Sequence, residues 1–250
     1  MITLAVDTTS PGGSAAVLRD ERVIGSVSAW TEETYSSRIF RPVEFLLEEL
    51  VLALGQVDLF AVSSGPGSFT GLRVGLAAVK AWAEVYGKPV VGISALEAIA
   101  AQSRASTSIL IPAFDARRGE VYFGFYRREG SLAAPVLALE GEHSVMAPAD
   151  FLKDVRARLG DTPFTIVTPT PEALAPARGK RNGVPEAEAA VAVEVGPEGD
   201  LQVEVVPNIL APLVGLLAAR RARGGITSNS LTLDAHYVRR TDAELKWKGI

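Results

Sequence analysis

A glycine-rich turn between an apolar run and a helical pattern sets the narrowest limits on the fold of this chain. Residues 64–75 read Ser-Gly-Pro-Gly-Ser-Phe-Thr-Gly-Leu-Arg-Val-Gly and follow the apolar run 59–62. A turn of this kind joins a buried strand to a helix and can bring backbone N–H groups close to an anion. It contains no lysine and does not match the P-loop pattern, so phosphate binding stays an open question.

The first hundred residues alternate strands and helices around this turn. Three strands joined by short turns predict an antiparallel meander, and the strands and helices that follow predict an α/β layer with a mixed sheet. The predicted strands are 2–6, 14–19, 22–29, 59–63 and 89–93, and the predicted helices are 36–54 and 68–86.

The pattern begins again near residue 108. Residues 109–115 parallel the first strand, so that Asp115 ends a strand as Asp7 does. In both copies an arginine follows the aspartate by twelve residues, at Arg19 and at Arg127. A strand–Asp–turn–strand unit that is used twice suggests two lobes of related topology.

These patterns predict how the 250 residues are divided. We expect a first α/β lobe at 1–105, with a C-terminal helix at 209–223 that packs back on it. A second, smaller and irregular α/β lobe is expected at 106–207, and an extended C-terminal tail at 224–250, of which 235–244 is expected to be loosely packed. The stretch 160–205 shows no regular pattern of elements.

Composition excludes several classes of function. The net charge of −4 gives the whole chain no electrostatic footprint for nucleic acid, and the absence of cysteine excludes disulfides and thiolate chemistry. Because no apolar run reaches 18 residues and the first residues do not read as a signal peptide, we expect a cytoplasmic protein with no membrane contact.

The two strand-end aspartates are the first candidates for chemistry. Asp7 and Asp115 could hold Mg²⁺ and nucleotide phosphates, as paired aspartates do in two-lobed ATPases. The alternative is that both cap turns and fix strand pairing. The second copy lacks hydroxyls and has arginines in its turn, so half of a phosphate clamp is missing. The residues predicted for phosphate or nucleotide contact are Asp7, Thr8, Thr9, Gly65, Gly67, Ser68, Arg117 and Arg118.

Metal and nucleophilic chemistry find little support. The two histidines, His143 and His236, lie on dissimilar segments without a metal-ligand spacing, so no metal site is expected. Ser68 stands where it would cap a helix rather than act as a nucleophile, and no catalytic residue is predicted.

The predicted helices carry a second kind of signal. Gly71, Gly75 and Ala78 form a stripe of small residues, which indicates close approach of another helix or of a ligand, inside the chain or from a partner. The helix 36–54 also has apolar residues on more than one face, which is more than one core contact requires. Besides its core set, it carries Phe40, Phe45, Val51 and Leu52.

Four segments together resemble the bacterial TsaB family, also called YeaZ. They are 4–9, 64–75, 92–96 and 115–122, and residues 237–239 resemble the closing segment of that family. The resemblance implies a two-lobed, actin-like ATPase fold (ASKHA, ribonuclease H-like) with a degenerate second lobe. It also implies a role in making threonylcarbamoyladenosine at position 37 of tRNA.

The resemblance further implies a partner rather than an enzyme. The chain would be a non-catalytic scaffold that pairs with its paralogue TsaD, with TsaE joining the pair, and that forms a homodimer without TsaD. It would meet tRNA only through the complex and would bind no cofactor firmly, with ATP or ADP placed at the complex interface. The paired metal-binding histidines of TsaD have no counterpart in residues 33–38.

Carried over to this chain, the partner surface of the family falls on helices 36–54 and 68–86. Two alternatives remain: an independent ATP-binding enzyme of the actin-like class, and a glycoprotease-like metallopeptidase, against which the missing metal motif argues. The predicted interface residues are Ile39, Val43, Leu46, Leu47, Gly71, Leu72, Gly75, Leu76 and Val79.

Overall fold

The computed structural model describes residues 1–10, 12–30, 37–131, 134–174 and 201–239. Parts of the predicted second lobe (175–200) and tail (240–250) lie outside the described residues, as does the predicted helix start at Ser36. The chain divides into two compact units, one formed by 1–98 and 209–250 and the other by 99–208. Among the described residues, no helix is long and apolar enough to cross a membrane.

The N-terminal part of unit 1 is a five-stranded sheet with helices. The strands stand in the order β3-β2-β1-β4-β5; β1, β2 and β3 are antiparallel, and β4 runs parallel to β1 and β5. The mixed sheet is confirmed. The elements are β1 (Ile2–Asp7), β2 (Gly12–Arg19), β3 (Arg22–Trp30), α1 (Ser37–Glu49), β4 (Leu59–Gly65), α2 (Phe69–Tyr86), β5 (Val90–Ser94) and α3 (Ala95–Ala100), with a 3-10 turn at Leu54–Gln56.

Unit 2 repeats this topology. Its central strands stand in the order β10-β7-β6-β11-β12, which has the same third-second-first-fourth-fifth sequence as unit 1, and the hairpin β8–β9 extends from β6. The stretch that follows β6 forms two strands, β7 and β8, which pair with different halves of β6. The elements are β6 (Ile109–Asp115), β7 (Val121–Phe123), β8 (Tyr126–Ser131), β9 (Ala134–Leu139), β10 (Ser144–Met146), α4 (Pro148–Leu159), β11 (Phe164–Thr168), a 3-10 turn (Pro171–Leu174) and β12 (Gln202–Val205).

The last helix, α5 (Ala211–Arg223), returns to unit 1 and covers one face of its sheet. Gly215 allows this close approach, because a Cβ there would overlap the Leu18 side chain. The opposite face carries α1 and α2, whose apolar residues form one core with alternate residues of β1, β2 and β4. The use of one strand order in both units confirms the predicted α/β, actin-like fold.

Candidate functional site

The turn after β1 is built around a buried carboxylate. Asp7 has no exposed surface, and its Oδ1 accepts hydrogen bonds from the Thr9 backbone N–H (3.0 Å) and the Thr9 hydroxyl (2.5 Å). The Ser10 hydroxyl donates to Oδ2 over 3.3 Å. Burial raises the pKa of Asp7 above its ordinary value, and the hydrogen bonds from Thr9, Ser10 and Ser63 oppose that rise. The Asp7 carboxylate therefore stabilises the turn that follows β1 through its hydrogen bonds with Thr9 and Ser10.

The glycines of the 64–75 turn make room for this first turn. The Thr8 hydroxyl donates to the Gly71 carbonyl over 2.6 Å, and a Cβ at Gly75 would overlap that hydroxyl oxygen. A Cβ at Gly67 would lie 2.5 Å from Thr9 Cβ and 2.6 Å from the Thr9 carbonyl oxygen. Glycine at 67, in the turn before α2, and at 75, within α2, is therefore required by close contact with the turn after β1.

The predicted phosphate-contact residues of unit 1 do come together, but most of their polar groups are engaged with the protein. The Ser68 N–H donates to the Thr9 carbonyl over 2.8 Å, and the Ser68 hydroxyl accepts from the Gly71 N–H over 3.3 Å. Thr8 and Thr9 are buried, and their hydroxyls bond to Gly71 and Asp7. A phosphate at this position would have to replace internal hydrogen bonds.

The C-terminal segment covers the neighbouring surface of β5, α2 and the turn. Ser228 exchanges two backbone hydrogen bonds with Val90, of 2.8 and 3.0 Å, and Leu233 is buried in the unit-1 core. The His236 N–H donates to the Ser64 carbonyl over 2.7 Å. A Cβ at Gly65 would lie 2.6 Å from the His236 carbonyl oxygen, which accounts for that glycine.

The expectation of loose packing is thus wrong for residues 235–237. Tyr237 stacks on Phe69, with ring centroids 5.2 Å apart, and accepts a 3.2 Å hydrogen bond from Arg73 Nε. Lys80 Nζ donates to the Leu233 carbonyl over 2.9 Å. An extended segment carries no periodic signal, so its docking could not be predicted from the sequence.

The turn after β6 in unit 2 is open. The Asp115 carboxylate is about one third exposed, accepts a 2.7 Å hydrogen bond from the Arg117 N–H and lies 3.9 Å from its guanidinium. Arg117, Arg118 and Gly119 all have left-handed backbone conformations, with φ of 63°, 60° and 73°. Both arginines are exposed. The second turn thus presents charge to solvent.

The predicted interface residues lie in the interior of unit 1, and their role at a partner interface stays a prediction. Helices α1 and α2 exist as predicted, but the chosen residues face the sheet of their own unit. These side chains form part of the core of unit 1, and the Gly71 carbonyl and Gly75 both contact Thr8. The nine buried residues are Ile39, Val43, Leu46, Leu47, Gly71, Leu72, Gly75, Leu76 and Val79.

Other apolar side chains lie on the outer sides of the same helices. Phe40 is 49% exposed and Phe45 is 56% exposed, and Phe40 meets the edge of Trp82 with ring centroids 6.1 Å apart. Val85 and Tyr86 at the end of α2 are also exposed. We call Phe40, Phe45, Trp82, Val85 and Tyr86 the outer α1–α2 face. Its sequence signal was the apolar residues of α1 that fall outside the core set.

Metal ligands do not cluster in the part of the chain that the structure describes. No group of three or more histidine, aspartate or glutamate residues within it stands close enough to hold a metal ion. His143 Nε2 lies 2.7 Å from the Tyr126 hydroxyl within unit 2, and His236 belongs to the C-terminal segment of unit 1. Neither histidine belongs to a metal-binding arrangement of described residues.

This chain resembles in sequence the TsaD family and several proteins named TsaB. The family model described as TsaD, tRNA N6-adenosine threonylcarbamoyltransferase, matches residues 21–150. The tRNA threonylcarbamoyladenosine biosynthesis protein TsaB of Bacillus subtilis is 33% identical over 158 residues, which is 63% of this chain and 67% of that protein. The TsaB protein of Escherichia coli is 33% identical over 52% of this chain and 56% of its own length.

Solved structures agree on the fold. YeaZ from Pseudomonas aeruginosa superposes with a TM-score of 0.69 at 24% identity, covering 94% of this chain and 99% of that one. A protein described as similar to peptidase YeaZ from Pseudomonas aeruginosa gives a TM-score of 0.68 at 25% identity, over 95% of this chain and 99% of that one. The likeness extends over nearly the whole length of both structures.

Proposed function

This chain belongs to the TsaB (YeaZ) family, and we propose on that basis that it is a non-catalytic subunit of tRNA threonylcarbamoyladenosine biosynthesis. In this proposal it pairs with TsaD, and TsaE joins the pair. TsaD performs the transfer of the threonylcarbamoyl group to adenosine 37. The names of the TsaB relatives support the tRNA modification, and the match to the TsaD model supports descent from a common ancestor.

The outer α1–α2 face is the observation that carries the pairing proposal. Phe40 and Phe45 are both exposed on α1, with Phe40 beside Trp82 of α2, and this is more apolar surface than a helix in contact with water alone requires. Exposed aromatic residues are the usual anchors of protein interfaces. The proposed surface therefore stays on the predicted helices but uses Phe40 and Phe45 instead of the core residues. Without TsaD, the same face would form a symmetric homodimer.

An independent ATP-binding enzyme is less well supported. That alternative needs the first turn to receive phosphates, but Thr8, Thr9 and Ser68 already bond to groups of unit 1. A nucleotide at a composite interface would meet other groups of this chain, the exposed Arg117 and Arg118 of unit 2. We therefore place ATP or ADP, if it contacts this chain, at those arginines rather than at Asp7.

The test is reconstitution of the modification. TsaD, TsaE and unmodified tRNA are incubated with and without this chain, and threonylcarbamoyladenosine is measured by mass spectrometry. We expect modification only when the chain is present, and a large loss with the Phe40→Asp/Phe45→Asp variant. Val136→Asp is the matched control, because Val136 is an exposed valine of unit 2.

Two results would overturn the proposal. Modification of tRNA, or ATP hydrolysis, by this chain alone would show that it is an enzyme. Full activity of the Phe40→Asp/Phe45→Asp variant, with unchanged binding of TsaD, would remove the outer α1–α2 face from the interface.

A further inference from the structure

The hairpin between β2 and β3 places two arginines opposite each other. Arg19 ends β2 and Arg22 begins β3, and their Cα atoms are direct cross-strand partners. Like charges in this position repel and destabilise a hairpin unless something neutralises them. Both side chains are exposed, and no carboxylate among the described residues comes within 4.0 Å of either guanidinium.

The last turn of α5 adds two more guanidinium groups to the same edge. Arg220 Nε lies 3.0 Å from a carboxylate oxygen of Glu21, and Arg223 bridges Glu21 and Asp20, the latter over 3.5 Å. The two carboxylates of the hairpin tip are therefore already used by α5. Among the residues that the structure describes, no carboxylate is then left to pair with Arg19 or Arg22.

Charge and shape at this edge point to an anionic ligand. Four guanidinium groups meet two carboxylates, and the nearby Asp58 accepts a 2.7 Å hydrogen bond from the Ile2 N–H. Positive charge is in excess even when Asp58 is counted. A shallow depression runs between the groups, and its lining is Arg19, Asp20, Glu21, Arg22, Ile24 and Arg223. We call these residues the arginine edge.

We propose that the arginine edge binds the phosphate backbone of RNA. Guanidinium groups present a planar fork of donors that matches phosphate oxygens, and two of them on one rigid hairpin can hold one or two adjacent phosphates. The choice of RNA rests on the proposed role in tRNA modification. The net charge of −4 gives no long-range attraction, so the contact is local and supplements binding by other subunits.

Salt dependence is the measurement that isolates this contact. Fluorescently labelled tRNA is titrated at several salt concentrations into the chain alone and into the chain with TsaD. Log affinity falls as log salt rises, and each phosphate that a protein neutralises makes this negative slope steeper by about 0.7 to 0.9. Arg19→Glu/Arg22→Glu should make that slope shallower by about 1.4 to 1.8, because two phosphate contacts are lost.

A control variant separates this site from general charge effects. Arg104→Glu/Lys153→Glu makes the same change in net charge at exposed positions of unit 2 and should leave the slope unchanged. Arg19→Gln/Arg22→Gln adds no negative charge beside Asp20 and Glu21, and it should also make the slope shallower. Circular dichroism verifies that each variant is folded.

The outcomes distinguish this proposal from the proposed function. Intact pairing with TsaD and a salt slope equal to that of the unchanged chain in both arginine variants would overturn the arginine edge alone. Loss of inorganic phosphate binding, measured by NMR titration, with unchanged tRNA binding would also overturn it, because the ligand would then be a free anion. Failure of the unchanged chain to pair with TsaD would contradict the proposed function, and the titration of the chain alone would still test the arginines.

Discussion

The turn after β1 and the turn after β6 begin from the same pattern, a strand that ends in aspartate, and they reach opposite results. Asp7 is fully buried and holds Thr9 and Ser10, whereas Asp115 is partly exposed and faces Arg117. The first turn fits against the glycines of 64–75. The second has three left-handed residues in succession. Two units of the same strand order thus use the strand-end aspartate differently, since one turn is packed in the interior and the other is an exposed charged loop.

The largest expected difference in stability is between alanine substitutions of two glycines, one beside each turn. Gly67→Ala forces a Cβ to within 2.6 Å of the Thr9 carbonyl, a backbone atom that cannot move aside. We expect a loss of about 3 kcal/mol or more in the free energy of unfolding, from overpacking and backbone strain together. Gly119→Ala places its Cβ in open space and should cost only the left-handed strain, about 1 kcal/mol. Urea denaturation measures both, and equal losses would contradict the comparison.

The next effect tests whether Gly75 serves the Thr8 turn. Gly75→Ala alone should destabilise unit 1, because its Cβ would overlap Thr8 Oγ1, while Thr8→Ala removes that atom and leaves the next contact at 3.5 Å. The alanine at 75 should therefore cost about 1 to 2 kcal/mol less in the Thr8→Ala background. A double-mutant cycle on the free energy of unfolding gives this coupling. Additive losses of free energy would show that the need for glycine at 75 does not come from contact with Thr8.

A pH dependence distinguishes the buried aspartate. Because burial raises the pKa of Asp7 in the folded state, the folded protein retains a proton that the unfolded chain releases at a lower pH. The contribution of Asp7 to stability therefore falls as pH rises from about 4, the ordinary pKa of aspartate, through the raised folded-state value. Asp7→Asn cannot titrate, so stability of the unchanged chain relative to this variant should decline over that window. A difference that stays constant or grows with pH would contradict the assignment.

The smallest effect belongs to the exposed turn. Arg117 holds a φ of 63° that glycine adopts without strain, and its ion pair with Asp115 is long and solvated. Arg117→Gly should therefore change the free energy of unfolding by less than about 1 kcal/mol. Thermal denaturation is sufficient to detect a change. A loss as large as that of Gly67→Ala would mean that the second turn is a packing element too.

The sequence predicted the elements of the fold better than their partners. The apolar spacing located α2 within one residue of its observed start at Phe69, and the duplicated strand–Asp unit predicted the repeated topology. Periodicity identifies an apolar face but does not say whether a sheet or another protein covers it. Ile39 and Val43 were therefore expected at an interface and lie in the core, whereas Phe40 and Phe45 were visible only as extra apolar residues.

The contacts between distant segments were beyond prediction. The stripe of small residues predicted close approach at Gly75, but the contact of Gly75 with Thr8 depends on the register of α2 against β1, which spacing alone does not give. The docking of Leu233 and Tyr237 joins segments more than 150 residues apart and has no periodic signature. Of the three left-handed residues at 117–119, only Gly119 is of a type that signals such a conformation.

The affinity of this chain for TsaD, measured by isothermal titration calorimetry with two variants, distinguishes the buried glycine turn from the outer α1–α2 face. Thr8→Ala/Gly75→Ala alters the glycine turn, which by this account serves the interior of unit 1, and the folded variant should bind TsaD as tightly as the unchanged chain. Phe45→Asp alters the outer α1–α2 face and should weaken binding by about thirtyfold, as loss of an aromatic anchor worth about 2 kcal/mol does. The reverse result, with binding lost in the turn variant and retained by Phe45→Asp, would contradict the account.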